Sequence, residues 1–233
     1  MTLKTDLETE TKKIFASQWT TRNGNVVPDP DSVRLSNDAV EFERATVLYA
    51  DLTGSTAMVD KSAWSTAAEI YKAYLYCAGR IINNSGGSIT SYDGDRVMAV
   101  FIGDSQSSNA AKCALKINYA VQHIVSPAMK KQYPHRDAIS QVVGIDTSKI
   151  RVARTGVRGG NDLVWVGRAA NYAAKLTEIK MKQRTWITES VYNKLSEESK
   201  YGGQPKKSMW EEHTWNSHDK SKIYGSTWWW AFE

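Results

Sequence analysis

The stretch from Ala45 to Thr56 constrains the fold more than any other. Ala45-Thr46-Val47-Leu48-Tyr49-Ala50 is an apolar, β-prone run of the kind that becomes a buried strand. Asp51 interrupts it at the far end, and Thr53-Gly54-Ser55 then turns the chain into a helical pattern. A strand that delivers an acid beside a helix N-terminus can hold a cation and the phosphates it neutralises. Taken alone, the stretch fits equally well an acid that ends a strand and caps a helix.

Downstream, Ala63, Ala67, Ile70, Tyr74, Cys77 and Ile81 recur at helical spacing and predict a helix from Ser62 to Asn84, closed by Ser85-Gly86-Gly87. Two β-prone runs, Gly87–Tyr92 and Arg96–Ile102, flank Asp93-Gly94-Asp95 and predict a hairpin. Asp93 reads as turn chemistry. Asp95 opens the second strand at the hairpin tip, where it can face Asp51 if the two strands are neighbours. A helical pattern covers Ser105–Lys131, broken near Pro127. Strand candidates follow at Gln141–Thr147, Ile150–Val157 and Leu163–Gly167, then a helix from about Arg168 to Ile179, a short strand at Arg184–Thr188 and a helix from Glu189 to Ser196. The order β-α-β-β-α-β is that of an α+β, ferredoxin-like core with a further hairpin, helix and strand appended.

Before this core lies a leader, residues 1–43, with a short amphipathic helix up to about Ala16 and turn-rich loops at Arg22-Asn23-Gly24-Asn25 and Pro28-Asp29-Pro30-Asp31. The remainder, 44–233, reads as one catalytic domain. The end of the chain carries Trp228-Trp229-Trp230, read as an edge strand that packs aromatics on the sheet; a stacking platform for bases is the weaker alternative. The net charge of +5 suits an anionic ligand and is too scattered to argue for nucleic acid. Cys77 and Cys113 sit in apolar helical surroundings, as small core residues of a reduced compartment do. With no apolar leader and no run long enough to span a bilayer, the expectation is a cytoplasmic protein that contacts neither membrane nor nucleic acid.

Two carboxylates at neighbouring strand ends can bind two divalent cations, and such a pair clamps an in-line phosphoryl displacement. Only hard oxygen donors are on offer, which selects Mg²⁺ or Mn²⁺. The turn Thr53-Gly54-Ser55-Thr56 would offer backbone N–H groups to phosphates.

These residues resemble a known family. Val47–Thr56 is similar to the first metal motif of the class III nucleotidyl cyclases, Gly94-Asp95-Arg96-Val97-Met98-Ala99-Val100-Phe101 to their second, and Val166–Leu176 to the helix bearing their transition-state asparagine and arginine. The resemblance runs from about Arg44 to Thr188, with the motifs in order. It implies that Asp51 and Asp95 are the metal aspartates, that Leu52 adds a backbone carbonyl, and that Asn171 positions the ribose. The family's arginine falls on Lys175, which keeps the charge and loses the bidentate fork. Either Lys175 acts as a point charge or Arg168 or Arg96 takes over; Arg184 is a candidate for the triphosphate. For each basic residue the bland alternative is a solvated surface charge.

The departures from the family pattern imply a different base or no catalysis. Purine cyclases carry a lysine four residues before the second metal aspartate, here Ser91, and a partner seven residues before the asparagine, here Val164. Neither purine selector is present, and Tyr49, in place of a phenylalanine, could offer a phenol to a smaller base. In this the chain resembles the Pycsar pyrimidine cyclases of bacterial antiphage defence. That implies a phosphorus–oxygen lyase making a 3′,5′-cyclic pyrimidine monophosphate from UTP, ahead of CTP, a homodimer with composite active sites, and a downstream effector that responds to the product. The rival readings are an adenylate cyclase with relocated base contacts and a degenerate module that senses nucleotides without turnover.

Overall fold

A computed structural model describes residues 2–232. In chain order the elements are α1 (Leu3–Ala16), β1 (Thr20–Asn23), β2 (Asp38–Leu52), α2 (Ser55–Asp60), α3 (Trp64–Asn84), β3 (Ser88–Asp93), β4 (Arg96–Phe101), α4 (Gln106–Ala120), α5 (Ser126–Gln132), β5 (Gln141–Val157), β6 (Gly160–Val166), α6 (Arg168–Leu176), β7 (Thr185–Thr188), α7 (Glu189–Tyr192), α8 (Glu197–Lys200), β8 (Tyr201–Gly202), β9 (Lys207–Ser208), β10 (Glu211–Trp215) and β11 (Ser221–Ser226). The chain separates into two compact units. One takes the chain up to Arg44 together with Lys149–Gly167; the other takes Ala45–Ser148 and the chain from Arg168 on.

The larger unit is mixed α+β. Its strands run in the order β10-β11-β7-β5-β2-β4-β3, so β5, β2, β4 and β3 and the helices between them make the expected βαββαβ core. Period-2 alternation splits β2 between two faces. Leu48, Ala50 and Leu52 join Val97, Ala99 and Phe101 of β4 in a core with Ile70, Tyr74 and Ile82 of α3 and Ala110, Ala114 and Ile117 of α4. Tyr49 and Asp51, at the alternate positions, belong to the opposite face of the strand.

In the smaller unit, β1 runs parallel to the start of β2, Thr20 opposite Asp38, and β6 folds back on the end of β5, Arg151 opposite Val166. Lys149 and Arg151 both pair with Glu41 there, and Phe42 stacks on Trp165. The segment around Arg22-Asn23, expected as turn and loop, is therefore partly strand, and β2 begins at Asp38 rather than Ala45. The first residues of β2 alternate Val40 and Phe42, both buried, with Glu41 and Glu43, and the parallel pairing with β1 completes the ladder there.

Three further expectations change. The strands expected at 141–147 and 150–157 form one continuous β5. The helix expected from Ser105 to Lys131 is regular only to Ala120, widens into a π turn at Val121–Val125 and resumes as α5 with Pro127 in its first turn. The three tryptophans are not a strand. β11 ends at Ser226, and the tail is laid along α4: the Asn118 side-chain amide donates to the carbonyls of Thr227 (3.4 Å) and Trp228 (2.8 Å), and the Trp230 N–H donates to the Leu115 carbonyl (3.1 Å). Trp228 and Trp230 pack on the main core from that side. The buried Asn118 satisfies backbone groups that would otherwise need a ladder. Among the described residues no helix is long and apolar enough to cross a membrane.

Candidate active site

Strand register brings the two acids together. β2 and β4 are antiparallel neighbours, with Tyr49 opposite Met98 and Asp51 opposite Arg96. Asp95 immediately precedes Arg96 in the turn after β3, a turn that Gly94 makes possible at φ +59°. A directly opposed pair in a ladder is within side-chain reach, and Arg96 Nη2 lies 3.3 Å from Asp51 Oδ2. Burial pushes the Asp51 carboxyl above the usual carboxylate range, Arg96 pulls it partly back, and the nearby Asp95 charge pushes it up again. The arrangement is under-satisfied. Asp95 Oδ2, Arg96 Nε and the hydroxyl of Tyr74 are all buried without a hydrogen-bond partner. A buried carboxylate oxygen with no donor, in a set of hard oxygen ligands, fits a divalent cation. Among the described residues no group of three or more His, Cys, Asp or Glu side chains gathers. A cation here would need backbone oxygen such as that of Leu52, and ligand or water oxygen, to complete its shell.

Next to this pair, Tyr49, Met98 and Ser91 stand abreast on β2, β4 and β3. A bulge between Ile89 and Ser91 resets the pleat so that Ser91 meets Met98. Tyr49 is half-buried and its phenol is pushed up by burial, with Arg96 opposing and Asp93 adding to the shift. Val164 lies on β6 in the smaller unit, so the two positions at which purine selectors would stand fall in different compact units.

The Thr53–Thr56 turn is narrower as a phosphate cradle than expected. The Thr53 N–H is already spent on the Ser140 carbonyl at 2.9 Å, which leaves the backbone donors of Gly54, Ser55 and Thr56, at the start of α2 where helix N–H groups have no partner within the helix. A cavity of about 430 Å³ beside this turn is lined by Asp51, Thr53, Gly54, Gln183 and Arg184. It brings Arg184 to the same opening as Asp51.

α6 is placed differently. It buries Ala169, Ala170, Ala173 and Leu176 and crosses β5 at Gly144, where an added Cβ would come within 2.1 Å of the Ala173 carbonyl oxygen. Asn171 and Lys175 lie one turn apart on the exposed side, and Lys175 has no ion-pair partner among the described residues. Lys175 borders a second cavity, of about 550 Å³, with Trp186, His213, Trp215 and His218. The cavity that holds Asp51 contains neither Asn171 nor Lys175.

Arg168 is committed elsewhere. Its Nε and Nη2 hold Asp146 Oδ2 and Oδ1 at 2.9 and 3.2 Å, and Nη2 also donates to the Thr147 carbonyl (2.9 Å) and Ser190 Oγ (3.0 Å). Asp146 is 0% exposed, accepts from Thr188 as well, and has its carboxyl pushed up by burial against those stabilising contacts. Sequence reasoning passed over Asp146 and the Tyr74 hydroxyl. The signal for Asp146 was there: an acid interrupts the apolar run Val142-Val143-Gly144-Ile145 just as Asp51 interrupts its own.

No protein-family model matches the chain. Individual relatives do. It is 52% identical to the uridylate cyclase of Xanthomonas perforans over 235 aligned positions, covering 100% of both chains. It is 50% identical to the uridylate cyclase of Burkholderia cepacia, covering 99% of this chain and 100% of that one. The chain belongs to the uridylate cyclase family. Among solved structures, the guanylyl cyclase Cya2 matches its fold with a TM-score of 0.68 at 15% identity, over 82% of this chain and 94% of that one. The uridylate cyclase family member described here is thus a nucleotidyl cyclase with the class III cyclase catalytic fold.

Proposed function

We propose that this cyclase converts UTP, ahead of CTP, to the 3′,5′-cyclic monophosphate and pyrophosphate, as a homodimer, and that the product is a second messenger in bacterial antiphage defence read by a separate effector. Support for the substrate is the full-length identity with proteins named uridylate cyclase. Support for the chemistry is the buried, donor-less Asp95 oxygen beside Asp51.

In this reading Asp51, Asp95 and the Leu52 carbonyl hold two divalent cations, Mn²⁺ or Mg²⁺. When bound, such ions lower the pKa of the ribose 3′-hydroxyl and neutralise charge on the departing pyrophosphate. The 3′-oxygen attacks the α-phosphorus, the bond from that phosphorus to the β-phosphate bridging oxygen breaks, and the hydroxyl proton passes to solvent. The chain's own groups supply position and charge. Arg96 orients Asp51. The N–H groups of Gly54, Ser55 and Thr56 and the Arg184 guanidinium take the phosphates. Tyr49 offers its phenol to the base, and with Ser91 and Val164 in the selector positions a purine finds no lysine. Asn171 orients the ribose and Lys175 offsets charge on the phosphoryl group. Arg168, with its donors turned to Asp146, is left a framework role. Asn171 and Lys175 lie on the exposed side of α6 and do not line the Asp51 cavity, although the cavity beside Lys175 shares Glu178, Ile179 and Met181 with it; that favours a site completed by a second copy.

The test is incubation of the protein with each of the four ribonucleoside triphosphates and Mn²⁺. The cyclic uridine product should dominate. Cyclic AMP as the main product would replace this reading with an adenylate cyclase, and binding without product for all four would replace it with a nucleotide sensor.

A further inference from the structure

The turn at Thr53-Gly54 borders two cavities. One is the cavity that holds Asp51 and Arg184. The other, also of about 430 Å³, is lined by the same two turn residues, by Lys61 at the end of α2 and by His135, Arg136 and Asp137 from the loop before β5. That loop is tied down. The Thr53 N–H donates to the Ser140 carbonyl at 2.9 Å, and the Arg136 N–H donates to the Tyr133 carbonyl at 3.1 Å. The Arg136 guanidinium lies over the Tyr133 ring, 6.0 Å from its centre, and the Tyr133 hydroxyl is held in turn by Glu69 on α3. Arg136 is therefore placed, half-buried, rather than adrift in solvent. Among the described residues neither Arg136 nor Lys61 has an ion-pair partner. A single unpaired cation on a surface is ordinary. Here two, from segments far apart in the chain, converge on one concavity against the single carboxylate of Asp137, and that concavity adjoins the turn whose N–H groups face the phosphates.

We propose that this second cavity receives the pyrophosphate end of the reaction. Arg136 and Lys61, helped by the His135 imidazole, draw the leaving group across the Thr53-Gly54 turn and hold it once its bond to the α-phosphorus has broken. The pyrophosphate departs with the bridging oxygen and its electron pair, so its charge grows as it leaves, and the planar guanidinium of Arg136 can take two of its oxygens at once. Arg184 borders the Asp51 cavity and not this one, so it meets the phosphates before cleavage and Arg136 after. This assignment rests on the cyclase reading proposed above.

The test is calorimetric titration of the full-length protein with sodium pyrophosphate in Mg²⁺ buffer, with inhibition of cyclic product by added pyrophosphate read in parallel. Arg136→Ala should raise the Kd and the inhibition constant about tenfold, and Lys61→Ala about threefold. Lys131→Ala removes an exposed charge of α5 outside the cavity and should change neither; an equal loss there would reduce the effect to overall charge and overturn the proposal. So would unchanged pyrophosphate affinity in Arg136→Ala, or no pyrophosphate binding by the unsubstituted protein. Should Arg136→Ala melt too low to titrate, Arg136→Gln keeps the stem on Tyr133 and should show the same rise. If the unsubstituted protein makes the cyclic uridine product and Arg136→Ala binds pyrophosphate equally well, only the role of this cavity falls. If no triphosphate is cyclised, the cyclase reading falls, and the direct titration still decides whether the cavity binds pyrophosphate.

Discussion

Two acid–arginine pairs in this cyclase differ in how completely they are satisfied. Asp146 and Arg168 have no buried side-chain atom without a partner. The acid accepts from two guanidinium nitrogens and Thr188, and the arginine also donates to Thr147 and Ser190. Asp51 and Arg96 make a single contact at 3.3 Å, and buried atoms of Asp95 and Arg96 beside it have no partner at all. Burial raises both Asp51 and Asp146, so desolvation does not separate them. Saturation does. A buried network with every donor and acceptor matched sets the framework, whereas one with atoms left over has room for a ligand to complete it.

That contrast can be broken by mutation. The largest expected effect is on turnover: Asp51→Ala or Asp95→Ala should lower cyclic product formation by about 10³-fold or more, measured as cyclic nucleotide released, while the melting temperature changes little. A large loss of stability with retained activity would make this pair framework too. Next comes Asp146→Ala, which should destabilise the fold by roughly 3 kcal/mol in urea titration. That is the low end of the range for breaking a buried pair, because Arg168, with a side chain 43% exposed, can turn to solvent. Lys175→Ala should lower kcat by about 10²-fold at unchanged stability, and Lys175→Arg should retain most of the rate; equal loss in both would point to packing rather than charge.

The smallest effect is on pH dependence. The folded-state pKa of Asp146 is raised above its ordinary value of 3.8. The folded chain therefore holds that proton longer than the unfolded chain, and this group's contribution to stability falls as pH rises from about 3.8 through the raised folded value. Asp146→Asn should lack that falling component, so the difference between the two stability–pH curves should slope downward across this window and flatten above it. A flat difference throughout would mean that the contacts from Thr188 and Arg168 offset burial completely.

Much of the core was readable because its elements are local. The apolar face of α3, from Ala67 to Ile81, follows the helical period, and Asp93-Gly94 between two β-prone runs is a hairpin by turn chemistry alone. What was misread depends on distant partners. β1 has no apolar pattern and exists because it pairs with the start of β2. The tryptophan tail has the composition of a strand, but Asn118 on α4 captures its carbonyls.

From the sequence alone one could read the βαββαβ order and the acids at two strand ends, because these follow from side-chain period and turn chemistry within short windows; the link to the cyclases came from the resemblance of three short motifs to theirs. Only the tertiary structure decided which charges are already spent. Arg168 and Lys175 both sit on α6 and read alike as available cations, yet one is neutralised by an acid more than a helix away in the chain and the other is not. Coulombic and hydrogen-bond partners are assigned by proximity in space, and the saturation of a polar group is a property of its neighbours rather than of its position in the chain.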